Sequence, residues 1–375
     1  MHAPSSIEEL STLMTALARD RRTLAFTGGA SPLDAPYAKP VDELVSTSNL
    51  NGIVEYAPSD QVVEVLAGTT IAQLQSTLRE HSQRLALDPP EPEHTTIGGA
   101  IAANLYGALR TRFGTAKDFV IGMTLVRADG VVARGGGKVV KNVAGFDVPK
   151  LMIGSYGTLA GVASVTLRLH PLHQTERNVM FDGCSAAEVR AMTNRLVELQ
   201  LEPAASCATY DGQFYEHCIR FEGFADGVAA QAEKLGGEAR MEIDAIQETA
   251  RTEGALRLKI SALASHFEAV HLRAIVPLYE TLVKTPQVLA YPSVGTFFAG
   301  GDVDDVPRVI AAVNAARAVV ESLGGTLVLT AAPAAIRDAV DPWGTPPPAF
   351  ALMRELKSRF DPERRLHPGA FVGGL

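Results

Sequence analysis

The sequence predicts an α+β chain of two domains, residues 1–175 and 176–375, and three observations predict it. The first half alternates short apolar strand patterns with glycine-rich turns and offers few helical stretches. Composition shifts near Thr175. Beyond that point the order strand, helix, strand, strand, helix, strand is read twice. Such a repeat is expected of duplicated ferredoxin-like (α/β-plait) modules that form one antiparallel sheet with helices on one face.

Each element has its own signal. Ser6-Ile7-Glu8-Glu9 has the form of a capping box, and Ile7, Leu10, Met14 and Leu17 follow at helical spacing, so a first helix is expected. "TLAFTGGASP" (residues 23–32) reads as a short strand breaking into a glycine turn. "VVEVLAG" (residues 62–68) is a strand, and Thr70 with Gln73 opens a helix carrying Ile71, Leu74 and Leu78. Apolar runs on both sides of Asp129-Gly130 predict a hairpin. "LAGVASVTLRLHP" alternates as a strand as far as Pro171. The first module then runs from "NVMFDG" to "ARMEI" and the second from "ALRLKISA" to "TLVLTA". The tail is a helix ended by Asp361-Pro362.

Composition narrows the function. With 46% hydrophobic and 20% charged residues the chain has the make-up of a soluble globular protein. A net charge of −8 offers no basic field for nucleic acid or an anionic membrane. Charged residues Glu8, Glu9, Arg19 and Arg21 break up the N-terminus, which is therefore not read as a signal peptide, and no apolar run is long enough to span a bilayer. A cytoplasmic location is expected. Cys184, Cys207 and Cys218 are too scattered to hold an iron–sulfur cluster or a structural zinc ion.

Two nucleotide fingerprints fail. "GGGKVV" has no Ser or Thr after Lys138 and no upstream glycine at P-loop spacing. "GSYGTLAG" opens a strand, so it presents no helix N-terminus to a pyrophosphate. Three glycine-rich segments, "TGGAS", "TTIGGAIAAN" and "GSYGTLAGV", nevertheless recur at expected strand–turn boundaries of one domain. Successive main-chain N–H groups in such turns form concave nests for phosphate oxygens, and three nests suit a long dinucleotide.

The order "TGGAS", "DPPEPEHTTIGGAIAANLYGALRTRFG", "KNVAGFDVPKLMIGSYGTLAGV" and "FDPERRLHPGAF" resembles the vanillyl-alcohol-oxidase (PCMH) type of FAD-binding proteins. Within that type it is most similar to the FAD-binding subunits of bacterial glycolate oxidase (glycolate dehydrogenase). The resemblance implies a two-lobed FAD-binding domain over residues 1–175, then an α/β-plait cap with a tail that contacts FAD. Carried over residue by residue, Gly28, Gly29, Ala30 and Ser31 match the first phosphate-binding turn, with Ala30 where the family usually has glycine. Pro89, Pro90, Thr96, Ile97, Gly98 and Gly99 match the segment under the pyrophosphate and flavin, and Asn104 and Gly107 continue it. Gly157, Gly161 and Val162 match a strand entrance at one end of the cofactor.

The resemblance further implies non-covalently bound FAD and a role in a complex oxidising glycolate or a similar small 2-hydroxy acid. A second flavoprotein subunit and an iron–sulfur subunit would complete it and give it contact with the membrane. Two other readings stay open: a self-sufficient FAD-linked oxidoreductase acting on another small alcohol or acid, and a non-catalytic flavin-holding subunit. His173 is read as a surface histidine rather than a covalent flavin link. His266 and His271, five apart, fall on different helix faces, so no metal site is expected. Lys138, Lys141 and Arg110 are cations of the first domain. No catalytic base is assigned.

Overall fold

In a computed structural model describing residues 1–29, 39–137, 146–240 and 254–375, the chain divides into two units. The first joins Met1–Tyr106, Gly114–Leu172 and Thr345–Leu375, and the second joins Gly107–Phe113 and His173–Gly344. This departs from the expected division into two successive segments at two places. The tail returns to the first unit because Leu24 N–H donates to Arg365 O at 2.8 Å and His367 N–H to Leu24 O at 2.7 Å. The segment 107–113 belongs to the second because Arg112 pairs with Glu202 and donates to Glu222 O.

The first unit has two lobes. One is a parallel pair, β1 (Leu24–Thr27) and β2 (Glu43–Ser46). Against it lies α1 (Ile7–Arg19), capped by Ser6 Oγ, which accepts from Glu9 N–H. Leu10, Met14 and Leu17, the apolar face read from sequence, bury against Leu24, Val45, Leu50 and Leu366. The other lobe is an antiparallel sheet that uses β3 (Ile53–Ala57), β4 (Val62–Leu66), β6 (Val120–Val126), β7 (Val132–Gly136) and β8 (Gly161–Arg168). Its order is β3-β4-β8-β6-β7. The expected hairpin is β6–β7, turning at Asp129-Gly130 with Gly130 at φ +86°. A separate antiparallel pair joins β5 (Gln83–Arg84) to β9 (His170–Pro171). Helix α2 (Ile71–Arg79) begins at the Thr70/Gln73 capping box.

The second unit carries the repeat. Its strands are β10 (Thr175–Cys184), β11 (Ala205–Tyr210), β12 (Tyr215–Gly223) and β13 (Glu238–Arg240), then β14 (Leu256–Ser261), β15 (Val283–Tyr291), β16 (Thr296–Asp302) and β17 (Thr326–Ala331). They form one eight-stranded antiparallel sheet in the order β13-β10-β12-β11-β15-β16-β14-β17. Each module of four therefore shows the same order (fourth, first, third, second), and the two meet at their second strands. Strand residues Ala208, Leu258, Ile260, Phe297 and Leu329 share a core with Val189, Val309 and Val313 of the intervening helices. The α+β class and the single antiparallel sheet are as expected.

Candidate functional site

A cavity in the first unit is lined from five separate stretches of chain. Phe26, Thr27 and Gly28 come from the end of β1, Thr47 and Ala67 from turns after β2 and β4, and Gly98, Gly99 and Ala102 from the 97–102 segment. Tyr156, Gly157, Ala160 and Val162 come from the turn leading into β8. Gly28, Gly98, Gly99, Gly157 and Val162, which the sequence singled out, thus meet around one space. A wider depression also borders Phe26, Thr27 and Gly28 and adds Gly29, Lys39, Ser46 and His367.

"TTIGGAIAAN" is not a strand–turn boundary. Residues Ile97–Ala102 are a short helix, α3, with Thr96 as N-cap accepting from Gly99 N–H at 3.1 Å. Ile97 N–H donates to Thr69 O and Gly98 N–H to Ala67 O, both at 2.8 Å. The first-turn amides are thus spent inside the protein, and the nest expected there does not form.

The glycines divide by what a side chain would meet. A Cβ on Gly98 would stand 2.8 Å from Ala67 Cβ and 3.0 Å from Ala67 O, so this glycine lets α3 pack on the end of β4. On Gly161 it would stand 2.7 Å from the Phe26 ring. On Gly28 and Gly29 it would strike Thr96 Oγ1 and His94 O, because the turn after β1 lies directly on the α3 cap. Gly99 differs: only Thr96 Oγ1 is near, at 3.1 Å, and the rest of the space is cavity. Gly157 sits at φ +70°, where glycine is favoured.

The remaining expected residues are placed as follows. Ile97 is core, 1% exposed. Pro89 is buried and the Pro90 carbonyl accepts from Thr95 Oγ1 at 2.6 Å; neither lines the cavity. Asn104 is at φ +50° with a buried Oδ1 that has no hydrogen-bond partner. Gly107 belongs to the second unit, as does Arg110. Ala30, Ser31, Lys138 and Lys141 lie outside the described residues. His173, also in the second unit, has Nε2 3.1 Å from Glu176 and Nδ1 3.4 Å from Glu222, carboxylates that Arg220 also approaches. That cluster reads as an ion-pair network. His271 is buried and its Nδ1 shares a 2.8 Å hydrogen bond with Tyr215 Oη.

Sequence reasoning missed Phe26, Thr27, Thr47, Ala67, Tyr156, Ala160 and His367. Tyr156 has φ +54° and a phenol pushed up to about 12 by burial, with Tyr106 adding to the effect, so it stays protonated. Behind it, Lys357 Nζ donates to Asp361 at 2.7 Å, Thr158 O at 2.7 Å and Leu366 O at 2.9 Å. Asp361 in turn accepts from the amides of Arg365 and Leu366. This buried staple joins the turn before β8 to the tail. Its one legible trace is the i,i+4 spacing of Lys357 and Asp361 before Pro362.

With this geometry established, the chain can be set beside known proteins. Residues 1–136 match the family model described as FAD binding domain. The chain is 32% identical over 190 residues to glycolate oxidase subunit GlcE of Escherichia coli (strain K12), covering 50% of this chain and 52% of that one. It is 25% identical over a 420-residue alignment to an uncharacterized FAD-linked oxidoreductase of Mycobacterium tuberculosis, covering 99% and 90%. It is also 28% identical over 179 residues to glycolate oxidase subunit GlcD of Bacillus subtilis (strain 168), covering 48% and 38%. The aligned part thus spans about half of the E. coli relative. Among solved structures, alkyldihydroxyacetonephosphate synthase superposes with a TM-score of 0.71 over 98% of this chain and 76% of that one, at 16% identity, which shows a shared fold.

Proposed function

We propose, from the premise that residues 1–136 are an FAD binding domain, that the chain is the FAD-binding subunit of a complex oxidising glycolate or a related small 2-hydroxy acid. The carrying observation is the convergence of Gly28, Gly99, Gly157 and Val162, from separate stretches, on one cavity of the first unit. The residues fit an FAD: Gly99 leaves space in the cavity that a side chain would fill. FAD is held non-covalently, with its phosphates on the turn after β1 and the turn before β8.

When bound, FAD supplies a two-electron acceptor. The chain orients it and keeps water away. Phe26, Ala160 and Val162 give the cavity an apolar wall, and burial keeps the Tyr156 phenol protonated, so it supplies no base. Ile97, Thr96 and Gly98 act one step back, fixing α3 against β4.

The likeness to two glycolate oxidase subunits supports a complex, with a second flavoprotein subunit and an iron–sulfur subunit as the partners. No helix among the described residues is long and apolar enough to cross a membrane, so contact with one would come through those partners, from the cytoplasmic side. A second reading, a self-sufficient FAD-linked oxidoreductase, is favoured by the mycobacterial relative, which aligns over nearly its whole length. Quinone-linked glycolate oxidation, measured for the chain alone and for the chain co-expressed with both partners, separates them. Activity only in the co-expressed set is expected. Full turnover by the lone chain would promote the second reading.

A further inference from the structure

We propose that the first unit holds a second ligand site, apart from the cavity assigned to FAD, which takes a small apolar carboxylate such as an aromatic acid and acts on the FAD cavity through a shared turn. Three observations carry it.

The first is the space. A cavity of about 200 Å³ is lined by the short helix Val148–Met152, the turn that follows it, the helix Phe350–Phe360 and the tail. Leu151, Ile153, Leu159, Met353, Leu356 and Phe371 give it apolar walls, and all of them belong to the first unit. Apolar walls with a few polar groups at fixed points are the usual form of a small-molecule site, and this volume suits a single ring rather than a dinucleotide.

The second is a pair of polar groups in the lining. Ser155 is 5% exposed, and its hydroxyl enters no hydrogen bond among the described residues. A hydroxyl taken out of water without a partner is costly, and a ligand oxygen would remove that cost. Lys150 Nζ donates to Lys117 O and, at 3.1 Å, to Val120 O. Two of its three N–H groups are thus spent on neutral carbonyls. Among the described residues no carboxylate lies within ion-pair distance of it, whereas Lys357, the other lysine of the lining, is neutralised by Asp361 at 2.7 Å. A carboxylate answers both needs, as counter-charge for Lys150 and acceptor for the Ser155 hydroxyl.

The third is position. Along one turn the lining changes sides: Gly154, Ser155, Thr158 and Leu159 line this cavity, and Tyr156, Gly157 and Ala160 line the FAD cavity. An occupant therefore bears on the segment that shapes the FAD cavity. This coupling, unlike the site itself, rests on FAD occupying the first unit.

The probe is benzoate, titrated calorimetrically into FAD-free protein, with benzamide as its uncharged counterpart. Benzoate should saturate at one per chain and benzamide should bind at least about tenfold more weakly. Ser155→Ala should weaken benzoate about fivefold and Lys150→Met at least about tenfold. Met353→Trp, which fills the cavity from the helix side, should abolish binding. Unfolding temperatures without ligand check each variant; if Lys150→Met does not fold, Ser155→Ala and Met353→Trp decide. Benzoate that fails to saturate, or that binds these two variants within twofold of wild type, would overturn the site. Benzamide binding as tightly as benzoate would overturn the carboxylate. Saturating benzoate should shift the FAD Kd at least about fivefold, and saturating FAD should shift the benzoate Kd by the same factor. An unmoved FAD Kd would overturn the coupling alone. Protein that binds benzoate but no FAD would instead overturn the FAD reading and leave the site standing.

Discussion

The two units treat their interiors in opposite ways. In the first, small residues (Gly28, Ala67, Gly98, Gly99, Ala102, Gly157, Ala160) surround an open space. In the second, the equivalent depth is filled by rings: Tyr210 and Tyr215 at 5.0 Å, Phe267 stacked on Phe297 at 4.7 Å, and His271 edge-on to Tyr210 at 4.9 Å. Packing as dense as an organic crystal is the default for a protein core. The second unit follows it, and the first departs from it where its sequence matches an FAD binding domain. The difference teaches where substitutions act on the ligand and where they act on the fold.

The largest effect is expected in the filled interior. Phe267→Ala removes a ring that is 1% exposed and should cost about 3–5 kcal/mol of stability in a denaturant titration. FAD binding by the remaining folded protein should be unchanged; lost affinity would break the division between the units.

Gly98→Val sharpens the contrast inside the first unit. Its new atoms would press on Ala67, not on ligand, so the expected cost is about 1–3 kcal/mol of stability even without FAD. A variant as stable as wild type that simply lost FAD would make Gly98 a ligand-facing glycine.

A smaller effect comes with pH. Burial pushes both His217 and His271 down to about 4 in the folded second unit. Unfolded, each titrates near ~6.5. Between those values the unfolded chain binds protons that the folded unit refuses, so stability present above about pH 6.5 falls as pH is lowered towards about 4. The slope is at most about 1.4 kcal/mol per pH unit for His217, and less for the less deeply buried His271. Urea midpoints followed from pH 7.5 to 4.5 should decline; a flat profile would contradict neutral burial.

The second unit was the more legible from sequence. Its repeated modules show as period-two strands and capped helices, local signals that the Ser185/Glu188 capping box illustrates. The first unit was legible in α1, α2, the β6–β7 hairpin and the glycines that meet at the cavity. Helix α3 was missed because glycine at two of its six positions argues against a helix, and contact with Ala67 and Thr69 overrides that propensity. Thr96, an N-cap three residues before Gly99, was the available sign. The return of the tail to the first unit was legible only through the resemblance carried by "FDPERRLHPGAF", because it depends on pairing Leu24 with Leu366 across most of the chain rather than on a local signal.

The most direct test of FAD binding in this glycine-lined cavity is an FAD titration of Gly99→Val beside wild type, with far-ultraviolet circular dichroism as the check on fold. A Cβ at this position has only Thr96 Oγ1 near it, at 3.1 Å, and Gly99 lines the cavity. The wild type should bind one FAD per chain, and the variant, equally folded, should bind it at least about a hundredfold more weakly, a loss of about 2.7 kcal/mol. A folded Gly99→Val protein with a full complement of FAD would contradict the account.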